Sequence, residues 1–199
     1  MLESFVIPAT VFRAYKPLIM GKGKAKPSNR IAEFVRLGVT AYDFTLTYSD
    51  QIILIHTSWP KPRDMGNACE GWFTYLTKDE FAALPYNPKS GAVSPIFESG
   101  ICPFQRDILS KDTLQNLFDT HATKRDKKKL PTFVRSVNPC HLARISKAFE
   151  TMCKGGAAGG FDQPIKFDIG ADTLSPLCFD AFVKRDMLTI AALVMPVRM

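Results

Sequence analysis

The chain has 199 residues, of which 46% are hydrophobic and 23% are charged. This composition is that of a folded protein, and a chain of this length can bury a core without a disulfide or a metal. Lys and Arg outnumber Asp and Glu by 26 to 19, which gives a formal charge of +7 and an isoelectric point near 9.2. This excess favours a polyanionic partner without identifying one.

Membrane and secreted classes are not expected from this sequence. No stretch approaches the ~20 consecutive apolar residues of a membrane-spanning helix. The first residues include Glu3 and lack the basic start and apolar core of a signal peptide. The five cysteines are an odd number without Cys-x-x-Cys spacing, which favours reduced thiols. We therefore expect a cytoplasmic protein.

The first region, residues 2–60, predicts a strand, a helix and three further strands. The apolar stretch SFVIP opens it, and Val11, Tyr15 and Leu18 follow at helical spacing. Pro17 is expected to kink or end that helix. After the loop GKGKAKPSNR come three runs rich in β-branched and aromatic residues, AEFVRLGV, TAYDFTLTY and QIILIHTSW.

The middle region, residues 61–131, gives mixed signals. GWFTYLTKDEFAAL predicts a strand that enters a short helix, because Thr77 and Glu80 have capping-box spacing. PYNPKSGAVSPIFESGICP is punctuated by Pro and Gly and is predicted to be irregular. SKDTLQNLFDTH predicts a helix capped by Ser110. The charge run KRDKKK is either a solvated loop or a phosphate contact.

The third region, residues 132–199, is the clearest. FVRSV predicts a strand, and Asn138 and Pro139 are typical of a helix start. The loop KGGAAGG ends this helix, and the strands QPIKFDIG, SPLCFDAFV and MLTIAALVMP follow. The predicted apolar stripe of the helix is Leu142, Ile145, Phe149 and Met152.

The order strand, helix, three strands thus occurs twice. It predicts an α+β fold in which two such modules form one antiparallel sheet with two helices on one face, plus an insertion. The predicted division is a first module at residues 1–60, an insertion or connecting segment at 61–131, and a second module at 132–199.

The third region resembles the last module of the bacterial DNA polymerase III sliding clamp (β subunit). The matching residues are Asn138, Pro139, Leu142, Ile165, Lys166, Phe167, Leu174, Ser175, Pro176 and Leu177, then the terminal strand from Leu188 to Met199. The end is the most specific part, because Met-Pro-Val-Arg-Met stands where that family has a Met-Pro-hydrophobic-Arg-Leu tail. The resemblance implies a DNA-clamp fold in a short, divergent version, of the kind that a phage or mobile element would encode.

The resemblance implies that the helices present basic residues to double-stranded DNA without reading its sequence. Neutralising phosphates releases counterions, so such binding is sensitive to salt. The implied DNA-binding residues are Arg13, Lys16, Lys22, Lys24, Lys26, Arg144, Lys147 and Lys154. The alternative is that these cations only occupy solvated surfaces, as in most proteins.

The resemblance also implies a hydrophobic pocket at the C-terminal tail, where DNA polymerases or other replication proteins would dock short linear motifs. The implied peptide-binding residues are Val194, Met195, Pro196, Val197, Arg198 and Met199. The alternative is that MLTIAALVM is only a core strand. The two interpretations are compatible if alternate residues of the strand face the core while the last four residues form the pocket wall. The segment LQNLF loosely resembles a clamp-binding motif itself, although a short helix with an apolar face also explains it.

No catalytic, metal or cofactor site is expected. The three histidines have no His-x-x-x-His spacing, and no Gly-x-Ser-x-Gly or phosphate-loop motif occurs. Three hypotheses remain open. They are a processivity or tethering factor that assembles as a ring of several head-to-tail copies, a clamp-fold interaction protein without a ring, and a general basic nucleic-acid-binding domain.

Overall fold

The computed structural model describes most of the chain. The described residues are 2–21, 30–50, 52–65, 69–97, 100–110, 112–114, 116, 137–153, 165–169, 176–184 and 186–196. The helices with described bounds are α1 (Ala9–Ile19), α2 (Lys78–Ala82) and α3 (Pro139–Cys153). The strands are β1 (Leu2–Ile7), β2 (Phe34–Val39), β3 (Asp43–Ser49), β4 (Ile53–Pro60), β5 (Phe73–Thr77), β6 (Tyr86–Asn87), β7 (Gly91–Phe97), β8 (Lys166–Ile169), β9 (Leu177–Val183) and β10 (Leu188–Val194).

The strands of the described residues form one antiparallel sheet. Its order is β1-β7-β5-β2-β3-β4-β10-β9-β8, and β6 pairs with β7. The meander β2-β3-β4 and the meander β8-β9-β10 meet where β4 pairs with β10, with Ile190 opposite Thr57. The predicted α+β fold with one antiparallel sheet is therefore confirmed.

Both long helices cover the same face of this sheet, as predicted. Tyr15 of α1 donates its hydroxyl to the Leu46 carbonyl at 3.0 Å and lies 3.0 Å from the Thr57 hydroxyl. The Thr57 hydroxyl donates to the Met152 sulfur of α3 at 3.8 Å. The two helices also contact each other, so they form one layer over β3 and β4.

The core lies between the helix layer and a curled sheet. Phe5 of the outermost strand stacks on Phe44 of β3 at a centroid distance of 4.7 Å, and Trp59 of β4 lies 6.2 Å from both rings. β7, β5 and β2 stand between β1 and β3 in the sheet order. These strands must therefore curl to bring Phe5 and Phe44 into contact.

The prediction that residues 85–103 are irregular is partly wrong. Residues 91–97 form β7, which pairs along its length with β1 and at one position, Phe97 opposite Phe73, with β5. The alternation of buried Ala92, Ser94 and Ile96 is a strand pattern that the flanking Pro and Gly residues obscured. Pro95 lacks an N–H group and so cannot donate to a neighbouring strand.

The predicted helix starts at Thr77 and Asn138 are confirmed. The Thr77 hydroxyl accepts from the Glu80 backbone at 3.2 Å, while the Glu80 carboxylate accepts from the Thr77 backbone at 2.7 Å. The side-chain oxygen Oδ1 of Asn138 accepts from the Cys140 backbone N–H at 2.9 Å. Helix α1 extends two residues beyond Pro17 and ends at Ile19. The starts of α2 and α3 therefore follow from the local sequence.

Other predictions lie outside the described residues. They include most of the strand FVRSV, of which only Val137 is described, most of the loop GKGKAKPSNR, the charge run KRDKKK and most of the segment LQNLF. No described helix is long and apolar enough to cross a membrane. The three-part division of the chain remains a prediction, to which the structure adds that the middle segment contributes strands to the sheet.

Candidate functional site

The helix layer presents cations on the side turned away from the sheet. Arg13 and Lys16 are exposed on α1, and Lys147 is exposed on α3. Arg13 Nε donates to the Ala9 carbonyl of its own helix at 3.3 Å. Lys16 Nζ donates to the Ala82 carbonyl at 3.1 Å, next to the Phe12 ring. The described part of the layer can therefore contact an anion through three long side chains.

Arg144 has a different environment. Its Nη1 lies 2.8 Å from Asp50 Oδ2, and its Nη2 donates to the Leu18 carbonyl at 2.9 Å. The Arg144 side chain is 31% exposed and the Asp50 side chain 16%. Its guanidinium thus joins α3 to the end of α1 and to the turn after β3. This structural role leaves Arg144 less available to a phosphate than Lys147.

The same ion pair affects a neighbouring tyrosine. Burial and, secondarily, the Asp50 charge raise the pKa of Tyr48 to about 12, and Arg144 opposes this shift. Lys78 Nζ lies over the Tyr48 ring at 5.9 Å. Under the helices, burial raises the pKa of Tyr15 above its usual value. Both tyrosines are therefore neutral hydrogen-bonding groups at physiological pH.

The four remaining implied DNA-binding residues cannot be assigned a place. Lys22, Lys24, Lys26 and Lys154 lie outside the described residues.

The implied peptide-binding residues differ in their exposure to solvent. Val194 is 0% exposed and belongs to the core, so it does not face solvent. Met195 is 42% exposed, and its backbone donates to the Ile52 carbonyl at 2.8 Å. Ile52 is also exposed and Pro196 is half-buried. Met195 and Ile52 thus form a small apolar surface, while Val197, Arg198 and Met199 lie outside the described residues.

A polar cluster on the opposite face was not found from the sequence. Asp107 Oδ1 accepts from Arg36 Nε at 2.8 Å and from the Tyr75 hydroxyl at 2.6 Å, and Asp107 Oδ2 accepts from Arg36 Nη2 at 2.7 Å. Burial and the Asp107 carboxylate raise the pKa of Tyr75 above its usual value. The available signal was Arg36 within the otherwise apolar strand FVRLGV, while its partner Asp107 lies 71 residues away.

Among the described residues, no three His, Cys, Asp or Glu side chains are placed to hold a metal ion together.

Comparison with solved structures finds the same architecture in bacterial sliding clamps. The DNA polymerase III subunit beta of Pseudomonas aeruginosa matches with a TM-score of 0.50 and 12% identity, over 99% of this chain and 67% of that one. The sliding clamp of the same organism bound to griselimycin matches with a TM-score of 0.50 and 12% identity, over 99% and 66%. The chain has the fold of a bacterial sliding clamp.

The sliding-clamp fold confirms the resemblance that the third region showed in sequence. The similarity is structural, because at 12% identity it establishes the fold and no more. The chain spans about two thirds of the length of the clamps that it matches. No protein-family model matches the sequence, and no curated protein does either.

Proposed function

We propose that this chain is a non-catalytic DNA-tethering protein of the sliding-clamp type, which holds double-stranded DNA against the outer side of α1 and α3. The observation that carries the proposal is the shared helix layer with three exposed cations, Arg13, Lys16 and Lys147. Helix α1 contains no acidic residue, and α3 contains only Glu150. The layer is therefore net positive, as non-specific phosphate contact requires.

The DNA contact is tested by removing charge from the layer. The variant Arg13→Ala/Lys16→Ala/Lys147→Ala should bind a 30-base-pair duplex more weakly than the wild type. Each lost phosphate contact lowers the slope of log affinity against log salt by about 0.9, so the slope should fall by about 2 to 3. Fluorescence anisotropy across a salt series gives both quantities.

The matched control removes three exposed cations elsewhere in the fold. Arg63, Lys89 and Lys184 are exposed in connections between strands. Because Arg63→Ala/Lys89→Ala/Lys184→Ala changes the net charge by the same amount, it should leave the slope nearly unchanged. Equal losses in the two triple variants would show a diffuse charge effect, and the helix layer would not be the DNA contact.

Assembly of several copies into a ring is part of this proposal. β1 and β8 are the terminal strands of the described sheet order. Terminal strands have unpaired backbone groups, so they can extend a sheet into a neighbouring molecule. Head-to-tail contact of this kind closes a ring only when its rotation closes.

Peptide docking near the C-terminal strand is a second candidate function, and it would suit a clamp-fold interaction protein even without a ring. It is favoured by the exposed Met195 beside the exposed Ile52. Partners would be DNA polymerases or other replication proteins that carry short apolar motifs. Met195→Lys should abolish such binding without changing the salt dependence of DNA binding, which separates the two functions.

A further inference from the structure

The sheet face opposite the helices carries a segment that is held almost entirely by side chains. We define this segment, residues 100–110, as the strap. In the described residues, the backbone hydrogen bonds of residues 100–114 outside regular elements stay within that stretch: Ile108 to Arg106, Ser110 to Asp107, and Leu114 to Ser110. The strap therefore does not add a strand to the sheet.

The surface under the strap combines three aromatic rings with one arginine. Phe34 and Arg36 of β2 share this face with Phe73 and Tyr75 of β5, because Arg36 stands opposite Tyr75 in the register. Arg36 lies over the Phe73 ring at 5.1 Å. A Cβ on Gly38 would come 2.3 Å from the Arg36 guanidinium, so the absence of a side chain at Gly38 leaves room for Arg36.

The strap is anchored by Leu109, which is 2% exposed, and two further strap side chains match this surface. The Phe104 ring meets the rings of Phe34 and Tyr75 edge-on, at 5.6 Å from each. Three residues later, Asp107 binds the Arg36 guanidinium with both carboxylate oxygens and accepts from the Tyr75 hydroxyl. An aromatic ring and a carboxylate at this spacing are thus the chemistry that the surface recognises.

The positive charge of Arg36 makes a carboxylate a necessary part of whatever occupies this surface. The Arg36 side chain is 10% exposed, while that of Asp107 is 28% exposed. A guanidinium this buried is costly without a carboxylate partner. The carboxylate is the more accessible of the two groups, so it is the side of the pair that solvent reaches.

We propose that this surface is a binding site for a partner peptide with an aromatic residue three positions before an Asp or Glu, and that Phe104 and Asp107 occupy the site in cis as an autoinhibitor. This proposal does not depend on DNA binding. The partner is defined by the residues that now fill the site. Its binding would displace the strap from β2 and β5.

The test uses a fluorescent peptide with the sequence of residues 102–110, in which Ser replaces the cysteine. A tethered strap has an effective concentration on the order of millimolar, so it should weaken a peptide of ~100 μM affinity about tenfold. The variant Phe104→Ala/Asp107→Ala frees the site and should bind the peptide about tenfold more tightly than the wild type. Anisotropy titration measures both affinities.

Control peptides and protein variants separate specific recognition of the peptide from non-specific binding. Peptides with Phe→Ala or Asp→Asn at the two key positions should fail to bind, and Arg36→Leu in the freed variant should abolish binding. Arg106→Ala changes an exposed strap residue that contributes only its carbonyl in the described contacts, so it should bind the peptide as weakly as the wild type. Equal affinity of wild-type and freed protein, or binding that survives both peptide changes, would overturn the proposal.

Two further measurements cover a variant that fails to fold. Asp107→Asn keeps the side-chain shape and should still raise peptide affinity several-fold. In the wild type, saturating peptide should speed amide exchange in residues 107–110, whereas the altered peptides should not. A last test mixes the freed variant, whose site is empty, with an Arg36→Leu protein, whose strap is intact. If the two form a heterodimer, the occupant of the site is the strap of a second copy, and the partner-peptide proposal is wrong.

Discussion

At the residue scale, two cations of helix α3 show how the surroundings of a charge decide its role. Arg144 and Lys147 lie three residues apart on α3, and the family resemblance implied the same DNA contact for both. Arg144 is bound to Asp50 and to the Leu18 carbonyl, whereas Lys147 faces solvent. The difference depends on residues about a hundred positions away, which helical spacing alone does not reveal.

Arg144 should therefore matter for stability and Lys147 should not. Arg144→Met removes the ion-pair partner of the mostly buried Asp50 carboxylate and should lower the free energy of unfolding by about 1–3 kcal/mol. Lys147→Met, the matched control on the same helix, should stay within ~0.5 kcal/mol of the wild type. Urea unfolding measures both, and equal effects would contradict the structural role of Arg144.

The buried tyrosines should make the protein sensitive to alkali. The pKa of Tyr48 is about 12 in the folded state against 10.0 for the free side chain, so the unfolded state loses this proton first. Stability linked to Tyr48 is complete below pH 10 and is lost as the pH rises from 10 to about 12. The loss is up to about 1.4 kcal/mol per pH unit.

The measurement compares the wild type with Tyr48→Phe in urea unfolding at several pH values from 9 to 11.5. The variant should lose stability less steeply above pH 10, because it lacks one of the groups that titrate on unfolding. Parallel curves for the two proteins would show that Tyr48 ionises equally in the folded and unfolded states.

At the element scale, helix caps could be predicted from local sequence signals, whereas the pairing of strands could not. The capping box at Thr77 and Glu80 and the cap at Asn138 were predicted because each involves residues within three positions of one another. β7 was missed, since Pro and Gly flank it and its partner β1 lies about 90 residues earlier. Likewise, sequence gave no sign that β5 and β7 stand between β1 and β2 in the sheet.

The capping box gives a direct test of helix α2. Thr77→Ala removes the hydroxyl that accepts from the Glu80 backbone, and it should cost about 1 kcal/mol of unfolding free energy. Thr77→Ser keeps a hydroxyl and should recover most of that loss. If both variants unfold at the same urea concentration as the wild type, the cap contributes nothing to stability.

At the scale of the whole molecule, the sequence predicted the architecture better than the sites. The repeated strand-helix-three-strand order predicted one sheet with two helices on one face, because each apolar face has to be covered. The DNA-binding and peptide-binding residues came only from the family resemblance. The structure separates them into exposed residues such as Lys147 and Met195 and packed residues such as Arg144 and Val194.

The central claim, that the protein tethers DNA as a clamp does, is tested most directly by retention on DNA with blocked ends. The protein is incubated with linear duplex biotinylated at both ends, so that a ring can thread over an end. Streptavidin is then added to half of the sample before a high-salt wash, which removes contacts that depend only on charge. We predict that protein stays on the blocked DNA and leaves the open DNA; equal loss from both would contradict a closed clamp.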